Sequence, residues 1–468
     1  MKTPGEQNLD AIILGAGLTG LTAAATLRQD GASVLLLEKS SRVGGAIATI
    51  EEGGFRVETG PNTFLLNEPR WETLFSKIGL KSQSIEADPA AKKRYIVRHG
   101  RPHAVPGHPL AALTSPLFSN RGLLRVLADP LRRPLPGGKE RSLARLVRHR
   151  FGHEILDYAV DPFVNGIYAG DPERLSFEIA FPRLAAAEKR GGGSLLRGFL
   201  RARADRKQSG EPPFRSRIIS FREGLEALPR ALAQHVDNSL LTGTRVRDIH
   251  FDSHRKVWRL TIQTTGNAAA RTVSAPHLVV GIPAFAIPAL PFSGELRSAL
   301  ECFREIEYPP VANIALGFPR TAVEHPLDGF GMLVPSRESF FILGTLFSSS
   351  LFPGRAPDGS VLLTSFVGGS RHPRRADLPE SEMIEAVSAD LHRLLGVRGK
   401  PVFAHIARWP RAIPQFNLGY ERFLQHMEKL ETEWPGLHFG GHYRDGISLP
   451  NCLGAGVRLA RSITGSVD

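Results

Sequence analysis

The pattern of apolar and polar positions changes period several times along the chain, and its first change is the most informative. An apolar run, Ala11-Ile12-Ile13-Leu14, drops into Gly15-Ala16-Gly17-Leu18-Thr19-Gly20. Leu21-Thr22-Ala23-Ala24-Ala25-Thr26-Leu27 then reads as a helix. After Gly31 a second apolar run, Val34-Leu35-Leu36-Leu37, ends on Glu38. Strand, G-x-G-x-x-G, helix, strand and terminal acid in this order predict a βαβ dinucleotide unit over the first 65 or so residues. Gly15 permits the tight turn, Gly17 lets the backbone approach a pyrophosphate, and Gly20 allows the helix to pack closely on the sheet. The helix N-terminus offers free N–H groups to phosphates, and Glu38 can accept from a ribose diol.

Beyond residue 65 the βαβ rhythm stops, so a large insertion is expected. Between His103 and about Arg215, Pro106, Pro109, Pro116, Pro130, Pro134 and Pro136 punctuate short Leu- and Arg-rich pieces. Residues 121–127 and 142–148 read as amphipathic helices with basic polar faces. Such helices either lie on an anionic membrane surface or pack their leucines into a core of their own. Residues 202–211 are charged and polar and read as an exposed loop. Residues 221–229 read as a turn into a helix, 246–265 alternate like a hairpin, and 278–282 form a buried strand. Several strands follow over 311–370, then a helix over 381–395. A last strand, 437–441, precedes a glycine-containing helix start at 451–457. Such a second helix N-terminus implies a cofactor domain built from both ends of the chain and a middle piece.

Composition narrows the picture only a little. The chain has 468 residues, room for two or three domains. Its formal net charge is +13, from 59 Lys and Arg against 46 Asp and Glu. No nucleic-acid motif accompanies that charge, which leaves an anionic lipid surface or a carboxylated small substrate. The two cysteines, Cys302 and Cys452, lack C-x-x-C partners, so neither a metal site nor a disulfide framework is expected. The first ten residues are polar, and no apolar run is long enough to span a bilayer. The expectation is a soluble or peripheral cytoplasmic protein.

After Glu38 comes Lys39-Ser40-Ser41-Arg42-Val43-Gly44-Gly45. This R-x-G-G extension resembles the FAD signature of the amine oxidase and phytoene desaturase superfamily and favours FAD over NAD. Arg42 can offer a charged fork to the pyrophosphate, and Gly44 and Gly45 let the loop pass close to the cofactor. Ala46 stands where many superfamily members carry a basic or bulky residue. Farther along, five stretches occur in order: Glu58-Thr59-Gly60-Pro61-Asn62-Thr63-Phe64, residues 165–171 (NGIYAGD), 329–335 (GFGMLVP), 413–419 (IPQFNLG) and 443–452 (YRDGISLPNC). Together they resemble the oxygen-dependent, FAD-containing protoporphyrinogen oxidase family over nearly the whole chain.

The resemblance implies an α/β plus α+β fold in three parts. A discontinuous, Rossmann-like FAD domain would take residues 1–75, 215–284 and 405–468. A mixed-sheet substrate domain would take 76–105 and 285–404, and a helical membrane-associated insertion 106–214. Cofactor contacts are implied for Gly15, Gly17, Gly20, Glu38, Lys39, Arg42, Gly44, Gly45, Ala46, Gly60, Pro61, Asn62 and Thr63. Val246 is implied at the adenine end, and Trp409, Ile447, Ser448 and Leu449 around the flavin ring. Asn62 also faces the substrate, where many family members place an arginine that pairs with a propionate. Arg94 matches a second propionate position, Gly166 a glycine whose carbonyl orients pyrrole N–H groups, and Phe330, Leu333, Leu346 and Phe366 the apolar walls. Taken singly, those four would read as strand core and Arg94 as a surface charge.

The implied reaction is oxidation of protoporphyrinogen IX by O2 through hydride transfer to FAD, with H2O2 released. No acid or base side chain is assigned. Coproporphyrinogen III, with four propionates, is the nearest alternative, and neutral Asn62 speaks mildly against it. An amine oxidase or carotenoid desaturase activity and a non-catalytic FAD scaffold stand further off. Partners left open are a membrane surface and a second copy in a homodimer; nucleic acid is not expected.

Overall fold

The computed structural model describes residues 9–465 apart from 109–110, 112–113, 136–139, 210–213 and 267–268. Strand β1 (Ala11–Leu14), helix α1 (Leu18–Gln29) and strand β2 (Val34–Leu37) form the expected unit. Every residue of both strands is buried, and alternate side chains enter two different cores. Ala11, Ile13, Val34 and Leu36 join the core under α1, whereas Ile12, Leu14, Leu35 and Leu37 join the core on the other face. This explains why the runs are apolar without alternation.

Three distant segments complete the parallel sheet. Its order is Leu240–Leu241, β2, β1, His277–Val280, Leu437–Phe439. In such sheets a ligand binds at the carboxyl ends of the strands. The expected hairpin is present as Thr244–Asp252 and Val257–Thr264, with Arg271–Ala275 as a third antiparallel strand.

A seven-stranded mixed sheet lies beside it, in the order Phe403–Trp409, Val311–Pro319, Ser360–Gly368, Gly344–Leu346, Gly329–Leu333, Lys93–Arg98, Arg101–Ala104. Helix Glu380–Leu395 covers one face with Met383, Val387 and Leu391, packed on Ile314, Leu316, Met332 and Leu363. Gly396 ends that helix in the left-handed region at φ 63°. The fold is thus mixed α/β, with a parallel Rossmann-like sheet and a mixed sheet.

The insertion is helical, and its leucines divide between two fates. Helix Leu143–Arg150 buries Leu143, Leu146 and Val147. Helix Asn120–Leu127 and the turn after it leave Leu124, Leu127 and Leu131 outside, 63%, 66% and 85% exposed. Phe199 and Leu200 are exposed on helix Leu195–Ser209, which packs against that turn. A buried knot fixes this arrangement. Asp129 accepts from Arg150 at 2.7 Å, from the Ser194 hydroxyl at 2.6 Å and from the Leu196 amide at 2.9 Å.

One expectation is corrected. Residues 202–209 continue helix Leu195–Ser209 rather than forming a loop; 210 and 211 lie outside the described residues. Arg, Ala, Lys and Gln all favour helix, so a polar composition does not by itself mark a loop. Among the described residues, no helix is long and apolar enough to cross a membrane.

Candidate active site

The glycine loop between β1 and α1 contains three glycines held for different reasons. Gly15 has φ +97°, and a Cβ there would lie 2.7 Å from Ile282. A Cβ on Gly20 would lie 1.9 Å from the Gly15 carbonyl oxygen. Both are required by the fold. Gly17 is different: its φ is −72°, and a Cβ there would meet nothing within 4 Å. The space in front of Gly17 is the cradle that a pyrophosphate fills. α1 begins there with no side-chain cap, which leaves its first N–H groups free for an anion.

The next loop folds onto this one. The Gly44 amide donates to the Ala16 carbonyl at 2.8 Å, with φ +96° at Gly44, and a Cβ on Gly45 would sit 3.7 Å from Gly17 Cα. Glu38 accepts from the Ala16 amide at 2.9 Å and from the Ser40 amide at 2.8 Å, so its carboxylate fixes the loop as well as facing outward. Arg42 is taken up locally: its guanidinium donates to the carbonyls of Val43, Ile47 and Gly45 at 3.2, 3.1 and 2.5 Å. It organises the R-x-G-G turn. Lys39 and Ala46 are exposed beside it.

The segment from Glu58 to Thr63 comes next. A Cβ on Gly60 would lie 2.1 Å from the Ala46 carbonyl oxygen and 3.7 Å from the Trp409 ring. The Trp409 indole donates to the Thr59 carbonyl at 2.7 Å, and Asn62 folds back on the Gly60 carbonyl at 2.9 Å. Pro61 and Thr63 are half-buried next to them. Glu38, the glycine loop, Gly44–Ala46, Gly60–Asn62 and Trp409 therefore form one continuous trough.

The C-terminal helix Leu449–Thr464 closes the trough from the other end of the chain. Ser448 caps it by accepting from the Asn451 amide, Thr19 of α1 donates to the Cys452 carbonyl at 3.1 Å, and a Cβ on Gly456 would lie 2.6 Å from the Thr19 carbonyl oxygen. Ile447 is half-buried, Ser448 exposed and Leu449 buried. Three groups of this corner are held neutral by burial, beside the ion pairs Arg444–Glu431 and Arg458–Asp445: His442 is pushed down to about 4, Cys452 up to about 12, and Tyr443 well up. Val246 sits in the three-stranded sheet, two residues after Thr244, whose amide donates to the Glu38 carbonyl at 2.8 Å.

The residues expected at the substrate come together on the uncovered face of the mixed sheet. Leu333 pairs with Gly344, Leu346 with Gly331, and Phe366 with Gly344 on one side and Asn313 on the other. Directly paired and alternate residues share a face, so Leu333, Leu346 and Phe366 form one apolar surface. Arg94 pairs with Gly331 and lies on that face, exposed, with no carboxylate partner among the described residues. Its guanidinium stands 5.6 Å from the centroid of Phe330, which a register shift between Gly329 and Gly331 sets apart from its neighbours. Helix Asp161–Tyr168 crosses this face, and a Cβ on Gly166 would lie 2.4 Å from Leu333 Cδ2. Asn62 and Leu346 line a common small pocket, so the border of the trough and this surface meet there.

Three residues that shape the site carry no signal in the sequence. Asn313 donates to the Glu58 carbonyl at 2.9 Å, and Arg355 forms a buried ion pair with Glu58 at 3.1 Å. Thr19 joins the two helix starts. Each looks ordinary in its own segment, because its partner is remote in the chain.

Comparison with known proteins agrees with this geometry. The model of the flavin-containing amine oxidoreductase family matches residues 18–464. Protoporphyrinogen oxidase 2, chloroplastic/mitochondrial, of Arabidopsis thaliana is 31% identical over 470 residues, covering 96% of this chain and 92% of that one. Coproporphyrinogen III oxidase of Bacillus subtilis (strain 168) is 26% identical over 467 residues, covering 95% and 96%. The crystal structure of a protein from Exiguobacterium sp. 255-15 superposes with a TM-score of 0.79 at 22% identity, over 98% of this chain and 99% of that one, which speaks for the fold. The trough, with its open Gly17 cradle and paired helix starts, suits FAD, and the chain belongs to the flavin-containing amine oxidoreductase family, with FAD as its cofactor.

Proposed function

We propose that the protein oxidises protoporphyrinogen IX to protoporphyrin IX, with O2 as acceptor and H2O2 as second product. The observation that carries this reading is the apolar face of Leu333, Leu346 and Phe366, with the unpaired Arg94 at its edge and Gly60–Asn62 at its border with the cofactor trough. Bound FAD supplies the two-electron acceptor. The apolar residues bind a broad hydrophobic ring by excluding water, and Gly166 lets helix Asp161–Tyr168 approach that ring closely. The Gly166 carbonyl is among the last four of its helix, which have no helical donor, so it is suited to accept pyrrole N–H groups. Arg94 orients a propionate. His442, Tyr443 and Cys452 are held neutral, and the charges beside them are taken up in the Arg444–Glu431 and Arg458–Asp445 pairs, in keeping with proton loss through the ring's own tautomerisation.

The test is anaerobic mixing of the flavin-loaded protein with each porphyrinogen. Bleaching of the flavin and appearance of porphyrin fluorescence should be clearly faster with protoporphyrinogen IX than with coproporphyrinogen III. The reverse order assigns coproporphyrinogen III, and no bleaching with either rejects the oxidase reading. In the same assay Arg94→Ala should raise KM about tenfold or more, the loss of one charge-assisted hydrogen bond. Unchanged KM would remove Arg94 from the substrate.

We further infer that the insertion rests on an anionic membrane surface. Leu124, Leu127, Leu131, Phe199 and Leu200 are exposed on adjoining elements, among Arg121, Arg125, Arg132, Arg197 and Arg201. Wild-type protein should cosediment with phosphatidylglycerol vesicles, and a Leu127→Glu/Leu131→Glu variant should not. Equal sedimentation of the two would refute this surface.

A further inference from the structure

A second cavity, of about 180 Å3, opens beyond the Leu333–Phe366 face. It reaches that face at Leu343, which packs with Phe366, whereas Val334 on its other side belongs to the core under helix Glu380–Leu395. Asn165, the neighbour of Gly166, lines it on the helical side. It therefore adjoins the proposed substrate surface along Leu343 and Ala169, which pack with Phe366.

The charged lining comes from one short segment after the Ser360–Gly368 strand: Arg371, His372 and Arg375. No carboxylate lines the cavity. Asp161 and Asp171 clamp the Arg371 guanidinium, each to a different nitrogen. Arg375 is anchored through one nitrogen only. Its Nη1 donates to the carbonyls of Phe340 and Phe341, both at 2.9 Å, whereas Nε and Nη2 meet no partner among the described residues. Asp390, the acid that Arg375 feels, is engaged by the Phe341 and Ile342 amides at 2.7 and 3.0 Å. The His372 ring also has no hydrogen-bond partner among the described residues. Burial, with Arg375 and Arg371 nearby, holds it below the usual histidine range and hence neutral, with one N–H to offer.

We propose that this cavity is a carboxylate subsite that receives a carboxyethyl arm of the macrocycle lying on the Leu333–Phe366 face, bound by Arg375 and His372. The proposal rests on the porphyrinogen reading. Its physical basis is the cost of taking a carboxylate out of water, which demands charged, fixed donors. Asn62 supplies no charge at its end of the cleft, and Arg94 can satisfy only one arm. Arg375 has a fixed guanidinium with open donors where a second arm would arrive.

The experiment compares a free-acid porphyrinogen with its methyl ester, which keeps the ring and removes the carboxylates. Steady-state kinetics are measured on flavin-loaded wild type, Arg375→Gln and His372→Glu. Arg375→Gln should raise KM for the free acid about tenfold and leave KM for the ester unchanged. His372→Glu, at an exposed position with no hydrogen-bond partner among the described residues to lose, should do the same by repulsion, and it decides the matter if Arg375→Gln fails to fold. Equal changes for acid and ester, or none for the acid in either variant, would overturn the subsite while leaving the oxidase reading intact. A wild-type enzyme that oxidises no porphyrinogen would overturn both.

Discussion

Gly17→Ala is expected to leave the thermal unfolding of the apoprotein unchanged and to weaken FAD binding by roughly two orders of magnitude. The backbone at Gly17 has an ordinary φ of −72°, and the new methyl group would meet no protein atom within 4 Å. It would stand in the space where the pyrophosphate approaches α1. Displacing a diphosphate from backbone N–H groups costs about 3 kcal/mol when a charge-assisted hydrogen bond is lost, which is about a hundredfold in affinity. Gly20→Ala makes the contrast, because its Cβ would lie 1.9 Å from the Gly15 carbonyl oxygen and must damage the apoprotein itself. Titration of FAD into deflavinated protein, with melting curves of both apo variants, separates the cases. A Gly17→Ala protein with wild-type FAD affinity would move the pyrophosphate elsewhere.

The second large effect lies under the cleft. Arg355→Met should destabilise the protein by about 3–5 kcal/mol, the usual result of leaving one member of a buried ion pair alone. Arg355 and Glu58 side chains are 3% and 5% exposed and 3.1 Å apart. Glu58 would retain the Thr49 hydroxyl at 2.7 Å and the Leu225 amide at 2.9 Å, but no counter-charge. Even in the wild type, burial outweighs Arg355 and raises the Glu58 carboxyl above its ordinary 4.5. Without Arg355 it must rise further. A carboxyl raised in the folded state binds a proton that the unfolded chain has released, so the deficit should shrink as pH falls from 7 toward 4.5. Urea unfolding at both pH values measures it. Glu58→Gln/Arg355→Met should recover most of the loss, since no charge is then left buried. A deficit under about 1 kcal/mol, or one indifferent to pH, would contradict the pair's role. FAD retention should fall with stability, because Thr59–Asn62 hang from Glu58.

Much of the cofactor half was legible because its signals are local. Gly15 and Gly44 are dictated by their own backbone, at φ +97° and +96°, and Gly20 by the Gly15 carbonyl five residues away, so the spacing of the glycines announces the geometry. Arg42 shows the limit of such reading. Its type and position suit a phosphate, yet in the structure its guanidinium holds the carbonyls of Val43, Gly45 and Ile47. Residues 202–209 show another. Polarity alone reads as loop, but charged residues with good helix propensity continue a helix whose start Ser194 caps locally and Asp129 holds from afar.

The sequence by itself determined the βαβ unit, the FAD signature and the run of family stretches, because a strand buried on both faces and a glycine turn have composition-level requirements within a dozen residues. Only the tertiary structure decided which side of the mixed sheet Leu333, Leu346, Phe366 and Arg94 share. That follows from strand register, and a slip of one residue would turn each side chain to the opposite face. It likewise decided that Leu124, Leu127 and Leu131 stand in solvent while Leu143 and Leu146 do not. An amphipathic pattern fixes which residues lie on the same side of a helix, but what that side meets is set by the packing of distant segments.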